Sequence, residues 1–94
     1  MLPSDATAIY WEGRMLIHNG MNEKAMLLFN HNKKLFPKQK FDINLGLAHG
    51  YKALKDDQKT IKHLKLTIKY LPKDKENARS FHENWLAQLE KDIN

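Results

Sequence analysis

The chain has no cysteine. That excludes a disulfide framework, a thiolate nucleophile and any zinc site built on thiolates. The absence fits a reducing compartment and leans toward the cytoplasm, although a periplasm accommodates it too. Arginine is scarce, with only Arg14 and Arg79. Nucleic-acid binders draw heavily on arginine and on a recognisable module, and neither is present here. No apolar run approaches the ~20 residues of a membrane span. The opening residues show no basic stretch followed by an apolar one, so no signal peptide is expected. The four glycines form no Gly-rich phosphate loop, and no G-x-S-x-G nucleophile elbow occurs. Strand signals are missing as well.

What remains is a chain of 94 residues, 41% hydrophobic and 29% charged, with a formal net charge of +5. One small domain spanning residues 1–94 is expected, with limited core volume. The charge is uneven. Residues 1–23 and 74–94 each carry a net −2, and residues 24–73 carry +9. A basic middle of this kind either steers an anionic partner or wets an outer surface.

Residues 6–40 written over 41–75 agree in size and polarity along most of their length. Lys24 falls on Lys59, Phe29 on Leu64, Leu35 on Tyr70 and Pro37 on Pro72. Gly13 falls on Ala48, and Leu16 on Tyr51. Apolar residues recur at helical spacing within each half. A first helix is expected from a cap at Ser4 or Asp5 to about Asn19, ended by Gly20. A second starts at an Asn22 cap and stops at Pro37. A third covers about 40–54, with Phe41, Leu47, Ala48, Tyr51 and Leu54 inward. A fourth opens at Asp56 or Asp57. A fifth, about 75–92, carries Ala78, Phe81, Trp85, Leu89 and Ile93 on one stripe. The fold class is therefore all-α, with five helices.

The pattern Gly13, Leu16, Ala25-x₃-Phe29, Pro37, followed by Leu47-Ala48-x₂-Tyr51, Thr60-x₃-Leu64, Pro72, resembles the tetratricopeptide repeat. The period is 35 rather than 34, and Ile9 and Asn44 stand at the family's tryptophan position. The resemblance implies a short right-handed solenoid of antiparallel helix pairs. Repeat one would cover about 6–40, repeat two about 41–74, and a capping helix about 75–92. It also implies a concave groove lined by the first helix of each pair. That groove would receive Thr7, Tyr10, Trp11, Arg14 and His18, then Asp42, Leu45, His49 and Lys52. The second helices would lie on the convex side.

Function follows as an expectation: a protein-interaction module that binds a peptide or protein segment through Tyr10, Trp11, Arg14, His18, His49 and Lys52. Tyrosine, tryptophan and arginine are the types enriched at binding hot spots. The alternative is a polyanion or nucleic-acid surface on Lys59, Lys62, Lys65 and Lys69, which share one arc of the fourth helix. A second alternative is a structural helical tail of an enzyme. No catalytic constellation is legible, so the chain itself is not expected to be an enzyme, and no cofactor is expected. The five histidines are scattered, and His82-Glu83-Asn84-Trp85 is followed by Leu86 where a zinc-binding helix needs its second histidine. No metal site is expected. Two repeats fall short of the roughly three that a stack usually needs. A second copy or a flanking domain is therefore expected to complete the core if the last helix does not.

Overall fold

Asp5 starts the first helix by accepting the Ala8 N–H at 2.9 Å. The computed structural model describes residues 5–93, so the alternative cap at Ser4 lies outside it. Every regular element among these residues is helical: α1 (Ala6–His18), α2 (Asn22–Leu35), α3 (Lys40–Ala53), α4 (Asp57–Lys69) and α5 (Arg79–Ile93). A 3-10 turn, Lys73–Ala78, joins α4 to α5. No strand occurs among the described residues. No helix among them is long and apolar enough to cross a membrane. The all-α class and the five helices stand.

The helix ends show which local signals decide the boundaries. Asp56 caps α4 by accepting the Lys59 N–H at 3.1 Å. Asn22 does not cap α2. The cap position falls on Met21, and the Asn22 amide instead donates to the Ala53 carbonyl at 3.5 Å. A tertiary acceptor at the end of α3 holds the amide nitrogen, and Oδ1, the atom a cap would use, is buried without a partner among the described residues. The fifth helix starts later than the sequence suggests. Lys73–Ala78 buries no residue, and Lys75 inside it has a non-helical backbone. Without an inward face, nothing holds this segment in α-helical winding.

Packing follows from small residues. Phe29 on α2 is fully buried. A Cβ placed on Gly13 of α1 would overlap its ring, and one on Gly46 of α3 would come within 2.7 Å of its Cδ1. The absent side chains let three helices close on one aromatic ring. Thr7–Asp42 and Arg14–His49 are hydrogen-bonded pairs, each 35 residues apart, so α1 and α3 run parallel and in register. Met26, Phe29, Phe41, Ile43, Leu45 and Leu47 form the main core. A smaller core lies under α5, where Ala48, Leu64 and Leu89 meet. Phe81, expected on the inward stripe of α5, is 66% exposed. Trp85 and Leu89 of that stripe do face inward, and His82 takes the place expected of Phe81, against Phe41 of α3. Leu35, Leu54 and Ile93, each at or next to a helix end, are also exposed.

Candidate binding groove

The parallel arrangement of α1 and α3 sets their side chains in register along one open face. Trp11 is 60% exposed there. Its ring meets the edge of Tyr10 at 5.0 Å between centroids. Tyr10 itself is buried, so its ring supports the groove floor while its hydroxyl points to Arg14.

Arg14 Nη1 donates to the Tyr10 hydroxyl at 2.7 Å and lies 3.2 Å from His49 Nε2. Because a guanidinium only donates, His49 accepts on Nε2 and carries its proton on Nδ1. Burial pushes the His49 pKa down to about 3, aided by the charge of Arg14 and by His82. His49 is therefore neutral at physiological pH. Arg14 has no carboxylate within ion-pair distance among the described residues. An arginine held by two neutral acceptors keeps donors to spare for a ligand.

On its other side His49 packs against Trp85 of α5, with centroids 4.8 Å apart and the rings tilted by 35°. The groove is thus walled by three helices rather than two. Trp85, His82 and Phe41 belong to it, and sequence reasoning treated all three as core or surface. The signal was available: Trp85 and His82 share a face of α5 at i, i+3 spacing. His82 is buried, burial lowers its pKa, and its Nδ1 has no hydrogen-bond partner among the described residues.

Toward the N-terminal ends of α1 and α3 the groove deepens into a cavity of about 390 Å³. Thr7, Tyr10, Trp11, Phe41, Asp42 and Leu45 form much of its lining, with His82 and the 3-10 turn behind. Asp42 is half-buried and accepts the Thr7 hydroxyl at 3.1 Å. Burial raises its carboxyl pKa, against the lowering effects of Thr7 and Lys75. At the opposite end, His18 and Lys52 are exposed. So Tyr10, Trp11, Arg14 and His49 come together, while His18 and Lys52 stand apart from them without a hydrogen bond or ion pair among the described residues.

The lysine arc of α4 is exposed but partly engaged. Lys59 lies 3.9 Å from Asp56 and over the Tyr51 ring, and Lys65 lies 3.7 Å from Glu90. Lys69 sits over Tyr70. Lys62 differs: it lines a cleft of about 380 Å³ with Lys33 and Lys40. Lys33 and Lys40 escaped the sequence reading because they lie on other helices. Burial, then Lys62, Lys33 and Lys59, push the His63 pKa in this cleft down to about 4. Among the described residues, no three histidine, aspartate or glutamate side chains gather in a metal-holding group.

No protein-family model matches the chain, and neither a curated protein nor a solved structure matches it.

Proposed function

We propose that the chain is a tetratricopeptide-like interaction module that holds a peptide or protein segment along the groove of α1, α3 and α5. The observation that carries this reading is the unpaired Arg14, fixed by Tyr10 and His49 beside an exposed Trp11. Nothing in the fold requires a tryptophan at that exposure, and an arginine without a carboxylate is costly to hold half-buried. Both become favourable when a ligand covers them. The helix pairing and the glycines around Phe29 support the family resemblance. A peptide library displayed on phage and panned against the protein tests the reading. Selected peptides should lose at least tenfold in affinity on Trp11→Ala, as hot-spot truncations do. They should tolerate Lys65→Glu. No enrichment, or binding indifferent to Trp11, would overturn the reading.

One observation favours a second reading. Lys33, Lys40 and Lys62 line one cleft that has no acidic residue in its lining. On this second reading a polyanion would sit between α2, α3 and α4 rather than along the outer arc of α4. Heparin affinity should then fall steeply with salt. It should drop on Lys33→Glu combined with Lys62→Glu, and hold on Lys65→Glu combined with Lys69→Glu.

A further inference from the structure

The groove has opposite charge at its two ends. Asp42 and Asp74 line the cavity near the helix N-termini together with a single cation, Lys75, and the charge of Asp5 reaches Asp42. Arg14 and Lys52 occupy the C-terminal halves of α1 and α3. The cavity is also aromatic, with Tyr10, Trp11 and Phe41 in its walls. Asp42 stands among these rings half-buried. It has no cation within ion-pair distance among the described residues. A carboxylate withdrawn from water beside aromatic faces lacks a counter-ion, and aromatic faces attract cations.

The chain supplies a cation of its own in the cavity wall. Lys75 Nζ lies 6.0 Å from the Phe41 ring centroid, and its charge acts on Asp42. Lys75 is the residue whose backbone breaks the 3-10 turn. An ammonium on a short exposed turn is easily displaced. An anion is the poorer occupant. The Asp5 side chain already caps the N-terminus of α1, and Asp42 fills the first turn of α3.

Resting on the groove reading above, we propose that this cavity takes a basic side chain of the bound segment, arginine or lysine, between Trp11 and Phe41 and against Asp42, displacing Lys75. The bound segment then runs in one direction, with its basic residue at the Asp42 end and its acidic group toward Arg14. Arginine is the better fit, because its plane stacks on an indole.

Titration of the ¹⁵N-labelled protein with acetyl-arginine amide, and separately with acetyl-glutamate amide, tests the cavity without a selected peptide. The arginine probe should shift the Trp11 indole N–H and the Asp42 amide, and the glutamate probe should leave them in place. Asp42→Asn should weaken the arginine probe about fivefold, and Lys75→Ala should tighten it by a similar factor. Equal response to both probes, or indifference to Asp42→Asn, overturns the proposal. The two readings fail separately. Library peptides that need Trp11 but carry no basic residue, with no response to acetyl-arginine amide, remove the cavity and leave the groove. A probe response that depends on Asp42, with no peptide selected, removes the groove and leaves the cavity.

Discussion

At the end of α1 the chain turns through Gly20, and 35 residues later, at the end of α3, it turns through Lys55. Both residues are left-handed, with φ of 78° and 63°. The hydrogen bonds repeat too. Met21 N–H donates to Leu16 O and Gly20 N–H to Ile17 O in the first turn, and Asp56 N–H to Tyr51 O and Lys55 N–H to Lys52 O in the second. This is the Schellman ending of a helix. The next helix then starts at Met21 without a side-chain cap in the first pair, and at capped Asp56 in the second. The first pair has the better turn and the second has the better cap. The comparison shows that the two halves share backbone geometry and side-chain size more than residue identity.

They differ most in what covers them. The second pair is closed by α5, through Leu89 against Leu64 and Ala48. The outer face of the first pair leaves Leu27 73% exposed. The largest test of this imbalance is the core. Phe29→Ala should lose about 3–5 kcal/mol, because the ring serves α1, α2 and α3 together. Leu64→Ala should lose about 2–4 kcal/mol, since it serves α4 and the smaller core. Urea unfolding measures both. A larger loss at Leu64 would reverse the ranking of the two cores.

Acid comes next in size. His49 joins the two pairs through Arg14, and His63 lies within the second pair beside Asn44. Both have folded pKa values below the unfolded value of 6.5, at about 3 and about 4. The unfolded chain therefore takes up protons first as pH falls through 6.5. Stability present above that pH is lost progressively until the folded pKa is reached. Between pH 7 and pH 5 His49 should account for about 2 kcal/mol of loss, and half-buried His63 for less. His49→Gln should flatten most of the slope between those pH values. An unchanged slope would mean that His49 is not held neutral.

The caps give smaller effects of opposite sign. Asp56→Ala should cost about 1 kcal/mol, and Met21→Asp should gain up to about 1 kcal/mol by giving α2 the cap that α4 already has. Thermal midpoints should move about 4–8 °C per kcal/mol for a domain of this size.

Helix number and the turn at Gly20 were legible in the sequence, because each rests on local signals of spacing and backbone freedom. The α2 cap was misread because the Asn22 amide finds a distant carbonyl, and no local pattern reveals a tertiary acceptor. The groove was half legible. Tyr10, Trp11 and Arg14 fall close together on α1, and His49 of α3 was set beside them only by the spacing that the repeat resemblance implies. Trp85 and His82 share a face of α5 by spacing, but their place in the groove was missed, since which helices that face meets depends on how α3 and α4 present Phe41, His49 and Leu64 to it. Thr60 and Thr67 are fully buried on α4, although their type suggests surface. Their hydroxyls donate to the Asp56 and His63 carbonyls one turn back, which satisfies them without a neighbour.

The turns give the smallest test and the most direct one. Nothing lies within 4 Å of a Cβ placed on Gly20. Gly20→Ala therefore measures the cost of a left-handed side-chain residue without a clash, about 1 kcal/mol. Lys55 already bears that cost, so Lys55→Gly should raise stability by up to about 1 kcal/mol, offset in part by the freer unfolded chain. The two changes should offset each other in the double variant, and any departure from additivity measures coupling between the turns, which are neighbours: Gly20 and Leu54 line one pocket and the Asn22 amide reaches the Ala53 carbonyl. If Lys55→Gly instead destabilises, the lysine side chain stabilises the second turn by more than its backbone strain, and the equivalence of the two helix pairs ends at the hydrogen-bond pattern.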